Sequence, residues 1–198
     1  MNEWDRFVAD LLRRVELDAF EASLDPAFGS QNEGHRQRVR EALRLAIENA
    51  NDNSSPPGAD SLTDLKRRPR VEGWAISVSH CPGIGGYILG PSKLCVGFDL
   101  EETLRVTRPI VERVLPFELE KAWYAKSSLE PAVIWAAKEA SIKAFGNLVR
   151  ADLNFGVVEL TSFTAEGRFT ARHRHHHVQG LAQGFGDHTA AIAKTRSE

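Results

Sequence analysis

The chain has only two cysteines, one methionine and two tyrosines in 198 residues. It also has no apolar run near the ~20 residues that a membrane-spanning helix needs. Cys81 and Cys95 are too few for a disulfide framework and lack zinc-ligand companions at the usual spacing, so reduced thiols are expected. A secretory signal is missing as well, because Arg6, Arg13 and Arg14 are interleaved with acids and apolar residues rather than placed ahead of an apolar block. A cytoplasmic, membrane-free protein is the expectation. Nor does charge of one sign dominate: the net charge of -2 gives no global attraction to polyanions, so any polyanion has to be met by a local basic patch. No nucleic acid partner is expected.

What is present suits a folded domain. Hydrophobic residues make up 42% and charged residues 26%, and the length allows one domain or two small lobes. Trp4, Phe7, Val8, Leu11, Leu12 and Val15 share one helical face, and Val39, Leu43, Ala46, Ile47 and Ala50 repeat the pattern in a second helix. Asn51 to Asp60 combines turn formers with Pro56 and Pro57, which stop that helix in a loop or linker. Trp74–Val78, Gly86–Leu89 and Leu94–Leu100, separated by Gly and Pro, predict a three-stranded meander. Pro109, Pro116 and Pro131 stand where they can open two short helices and one long one, with Gly146 as the last helix's stop. Phe155, Val157, Val158, Phe163 and Ala190–Ala193, with a turn at Glu166-Gly167, predict a second small sheet. The order argues for an α+β fold of two similar lobes, which we divide at 95/96 into residues 1–95 and 96–198. A faint echo between Ser79-His80-Cys81 and Asp187-His188-Thr189 fits duplication or coincidence equally.

The chemistry concentrates in three short segments: Ser77-Val78-Ser79-His80, Gly97-Phe98-Asp99-Leu100-Glu101, and Trp135-Ala136-Ala137-Lys138-Glu139-Ala140-Ser141-Ile142-Lys143. On a strand, Asp99 and Glu101 face the same way with Cα atoms ~7 Å apart. Two such charges repel by ~2 kcal/mol at an effective dielectric of ~20, so a partly buried pair wants a cation or a raised pKa. Solvated acids on an exposed edge are the alternative. On a helix, Trp135, Glu139 and Lys143 form one i,i+4 stripe. That stripe offers a third carboxylate for a hard cation such as Mg2+ and a lysine for a phosphate. A surface Glu-Lys pair with a core tryptophan is the bland alternative. Lys138 lies about 100° round the helix and reaches a phosphate only from the flank. His175-His176-His177 reads as an exposed basic loop rather than a metal tract, because adjacent strand residues point opposite ways. With Arg36, Arg38, Arg40 and Arg44 it would make a positive surface for an acidic protein or RNA.

Taken in order, these three segments resemble the signature of the 4′-phosphopantetheinyl transferases, from about Trp74 to Gly146. The histidine precedes the Gly-x-Asp motif, as in the two-lobed, pseudo-symmetric surfactin-type members rather than the small trimeric holo-acyl-carrier-protein synthases. The resemblance implies a monomer that moves phosphopantetheine from coenzyme A to a serine of an apo acyl or peptidyl carrier protein, in fatty acid, polyketide or nonribosomal peptide synthesis, and releases 3′,5′-ADP. It implies that Asp99, Glu101 and Glu139 hold Mg2+, with Glu139 also a base and Lys143 beside the phosphate under attack. It implies further that Ser79 and His80 contact the 3′-phosphate or adenosine end of coenzyme A, and that Arg68-Pro69 stands in place of a Gly-Lys-Pro element. Arg36, near the start of the second helix, and Lys138 are the remaining phosphate contacts. A non-catalytic coenzyme A- or carrier-binding protein of the same fold is the alternative.

Overall fold

The computed structural model describes residues 2–51, 58–65 and 68–195. The core of the Asn51–Asp60 linker, residues 52–57, lies outside the described residues.

Helix α1 (Glu3–Arg14) begins with a reciprocal cap, in which the Asn2 side chain accepts from Asp5 N and the Asp5 carboxylate accepts from Asn2 N. Its buried face, Val8, Leu11 and Leu12, packs in one cluster with residues of both sheets, including Leu24, Ile88, Phe98, Leu100 and Ile192. The helix therefore bridges the two halves of the chain. Strand β1 (Glu21–Asp25) lacks any apolar alternation, with Leu24 its one buried residue, and sequence periodicity misses it. Helix α2 (His35–Ala50) lays Val39, Leu43 and Ile47 against Ile76, Tyr87 and Leu89.

Strands β2 (Trp74–Cys81) and β3 (Ile84–Pro91) form an antiparallel hairpin, and β1 pairs on the other side of β3. The expected meander ends there. Strand β4 (Val96–Glu102) leaves β3 and pairs antiparallel with the last strand, β8 (His188–Thr195), in a five-stranded sheet ordered β4-β8-β7-β6-β5. The other strands are β5 (Glu159–Phe163), β6 (Arg168–His173) and β7 (His176–Phe185). Strand β8 offers β4 a ladder of seven residue pairs. Toward β2, side chains replace the ladder: Ser77 Oγ accepts from Phe98 N at 2.8 Å and Ser79 Oγ from Leu100 N at 3.1 Å. Because 77 meets 98 and 79 meets 100, β2 and β4 run parallel along a seam between the sheets.

Helices α3 (Arg108–Val114), α4 (Glu118–Tyr124) and α5 (Pro131–Val149) match the two short helices and one long one. Gly146 does not stop α5, which runs on to Val149 and turns at Arg150 in the left-handed region, φ 53°. Space is tight at the glycine, since a Cβ there would lie 2.9 Å from the backbone oxygen of Ala151 and would displace the Arg68 guanidinium. Phe155–Val157 form a single helical turn ahead of β5, and His175 sits in the tight turn of the β6–β7 hairpin, where His173 pairs with His176. The two echo segments approach each other: His188 Nε2–H donates to Pro82 O at 2.9 Å. Among the described residues no helix is long and apolar enough to cross a membrane.

Candidate active site

Gly97 sets the site. A Cβ there would overlap the backbone of Ala140 and Ala144, so α5 lies directly on β4. That contact turns the Trp135, Glu139 and Lys143 stripe toward the acidic face of β4. Trp135 Nε1–H donates to Glu101 Oε1 at 2.9 Å. Lys143 Nζ donates to Asp99 Oδ1 at 2.7 Å, Phe98 O at 2.9 Å and Ser79 Oγ at 3.0 Å. The stripe extends one turn further, where Asn147 Nδ2 donates to Val96 O at 2.8 Å and Ile76 O at 3.2 Å, tying β2 to β4. The 135-139-143-147 spacing is the signal in the sequence that would have found Asn147.

Burial raises the pKa values of all three acids, and charge from a neighbouring acid adds to it at Glu101 and Glu139. Burial, then the neighbouring Asp99 charge, pushes Glu101 up to about 8, while the Trp135 N–H pulls the other way. Glu139 is raised by burial and by Asp99, and Asp99 is raised by burial against the lowering pull of Lys143. Asp99 Oδ2 is buried with no hydrogen-bond partner. Three neighbouring carboxyl groups, one with an orphaned oxygen, are a donor set suited to a hard divalent cation. Among the described residues, no three acids, histidines or cysteines already stand at cation-holding geometry. The side chains would have to close on an ion, with Lys143 leaving one oxygen of Asp99 open.

Beside the acids opens a cleft of about 240 Å³, walled by Arg36, Arg40, Arg68, His80, Glu139 and Lys143 with Pro69 and Ile76. His80 packs edge-on against His35, ring centroids 4.6 Å apart. Burial, then His35 and Arg36, lowers the His80 pKa to about 4. Buried nitrogens without partners gather here: His35 Nε2, His80 Nδ1 and Arg68 Nη1. Arg68 Nη1–H is a buried donor left unmade, which is costly, and an anionic ligand would satisfy it, with the one N–H of the neutral His80 ring beside it.

Two sequence-predicted contacts are placed elsewhere. Ser79 is buried in the seam, where its hydroxyl donates to Asp99 Oδ1 at 2.9 Å and accepts from Leu100 N and Lys143, so it supports the acids instead of facing the cleft. Lys138 is fully buried and pairs with Glu120, which also accepts from Leu160 N at 2.6 Å. The step of one residue from Glu139 turns it away from the cleft and into the contact with α4 and β5. The positive surface dissolves too: Arg40 lines the cleft at 9% exposure, Arg44 is paired with Glu41 and Glu48, and Arg38 donates to the backbone of Ala27 and Glu33. Arg40 is the cleft residue that sequence reading misplaced; its place one turn after Arg36 was the available signal.

A family model described as the 4′-phosphopantetheinyl transferase superfamily matches residues 95–193. The chain belongs to that superfamily. The matched span contains Asp99, Glu101, Glu139 and Lys143 and leaves out Arg36, Arg68, Ser79 and His80. No curated protein matches the chain.

Proposed function

We propose that the chain is a Mg2+-dependent 4′-phosphopantetheinyl transferase of the two-lobed, surfactin-type arrangement, with lobes 1–95 and 96–198, acting as a monomer. It moves phosphopantetheine from coenzyme A to a serine of an apo acyl or peptidyl carrier protein. The observation that carries this reading is the meeting of two complementary halves: three acids on β4 and α5, and a cleft of cations and unpartnered nitrogens from α2, Arg68 and β2. A ligand with a pyrophosphate and a further phosphate suits both.

Asp99, Glu101 and Glu139 would hold the ion, which supplies neutralising charge to the pyrophosphate when bound. Arg36, Arg68 and His80 take the phosphates of the nucleotide end. Glu139, facing the cleft with a raised pKa and no hydrogen bond to its carboxylate among the described residues, takes the proton of the carrier serine as its oxygen bonds to the β-phosphorus. The bond from that phosphorus to the ADP oxygen breaks, and 3′,5′-ADP departs. Lys143, with its donors spent on Asp99, Ser79 and Phe98, orients Asp99 and brings positive charge to the edge of the cleft.

Mass spectrometry of an apo carrier protein incubated with the protein, coenzyme A and Mg2+ tests this. A gain of one phosphopantetheine that chelator abolishes, and that Glu139→Gln lowers at least 100-fold without unfolding, is expected. Full turnover by that variant removes Glu139 from its role. Coenzyme A binding with no gain across fatty acid, polyketide and peptide carriers favours the non-catalytic alternative.

A further inference from the structure

We infer that Trp135 is a positioning residue for the cation site, holding Glu101 through its indole N–H; the inference rests on the metal reading of Asp99, Glu101 and Glu139. The hydrogen bond from Nε1 to Glu101 Oε1 is 2.9 Å, and it joins the first residue of the α5 stripe to the far end of the acidic strand. The indole is itself braced, with the Phe155 ring at 5.0 Å between centroids. Phe155 belongs to the helical turn ahead of β5, so the donor to this carboxylate is itself held from a third segment.

The chemistry of the donor matters. An indole N–H is a donor only and carries no charge. A lysine or arginine in its place would fix the carboxylate equally well but would cancel the negative charge that attracts a cation. Asp99 illustrates the difference: its Oδ1 is bound by the Lys143 ammonium and the Ser79 hydroxyl, and Oδ2 is the atom left without a partner. In both acids one oxygen is pinned by a donor. At Glu101 the indole does this without bringing a positive charge of its own, and it sets the carboxyl group's rotation before any ligand arrives. Partners of this kind around metal-binding carboxylates contribute strongly to affinity.

Two replacements separate positioning from packing. Trp135→Phe removes the N–H and part of the ring, and incorporation of β-(3-benzothienyl)alanine at position 135 removes the N–H while keeping the bicyclic shape. Mn2+ binding to each protein, read by electron paramagnetic resonance of the free ion, is the primary measurement, with thermal melting and the Mg2+ dependence of transfer alongside. Both replacements are expected to weaken Mn2+ binding roughly 10- to 100-fold. The benzothienyl protein should keep its melting temperature, and high Mg2+ should restore much of its transfer rate. Mn2+ affinity within twofold of the parent in the benzothienyl protein overturns the inference alone. A parent protein that binds no Mn2+, or binds it equally after Asp99→Asn, overturns the metal reading and the inference with it.

Discussion

A Cβ placed on Gly97 would lie 1.8 Å from the carbonyl oxygen of Ala140, so β4 and α5 touch backbone to backbone just before the acidic strand residues. This contact brings Asp99 and Glu101 within reach of Lys143 and Trp135. Gly97→Ala forces the helix off the strand, and backbone cannot yield as a flexible side chain can. We expect a loss of about 3 kcal/mol in urea unfolding, together with loss of transfer. A variant as stable and active as the parent would show that α5 is not held at this distance.

The pKa of Glu101 ties stability to pH. It stands at about 8 in the folded protein against an ordinary 4.5, so between these values the native state keeps a proton that the unfolded chain has released. Its contribution is complete below pH 4.5 and is lost as pH rises to about 8. Without divalent cations, Tm should therefore fall between about pH 6.5 and 8, and less steeply in Glu101→Gln. His80 acts oppositely: with a native value of about 4 against 6.5, stability from this group is present above 6.5 and lost as pH falls toward 4. Identical pH slopes in parent and Glu101→Gln contradict this account.

Ser79 supports the acids from within the seam. Ser79→Ala strips a partner from Asp99, from Lys143 and from Leu100 N in a buried place, at a cost of about 1–3 kcal/mol. Calorimetry should show weaker divalent-cation binding and nearly unchanged affinity for 3′,5′-ADP. A selective loss of 3′,5′-ADP affinity would instead make Ser79 a ligand contact.

Lys138 and Glu120 are both fully buried and paired. Lys138→Met leaves the Glu120 carboxylate without its cation and should cost about 3–5 kcal/mol, whereas the double change Lys138→Met with Glu120→Gln, which keeps an acceptor for Leu160 N, should recover part of that loss. Coenzyme A affinity in the folded fraction should not move. Weakened nucleotide binding in a variant of parental stability would return Lys138 to the cleft.

The elements with strong periodicity were legible, as α1, α2 and α5 show through Val8, Leu11, Val39, Leu43 and the 135-139-143 stripe. Strand β1 was not, because an edge strand with one buried residue writes no alternation. The partner of β4 was hidden for a different reason. Its apolar run is compatible with either neighbour, and the choice of β8 depends on a strand ninety residues away together with serine hydroxyls that seal the seam toward β2. Lys138 and Glu139 show the limit within a single helix: adjacent in sequence, one is sealed in the core and the other opens on the cleft.

The amino-acid sequence determined the kinds of groups present and their spacing, because helical and strand periods are local properties: same-face acids at 99 and 101, and a stripe at 135, 139 and 143. Only the tertiary structure decided what those groups do to one another. Burial and the contact at Gly97 convert spaced charges into acids of raised pKa, assign Ser79 to support and Lys138 to the core, and bring Trp135 to Glu101. Desolvation and through-space charge act over distances that have no counterpart along the chain.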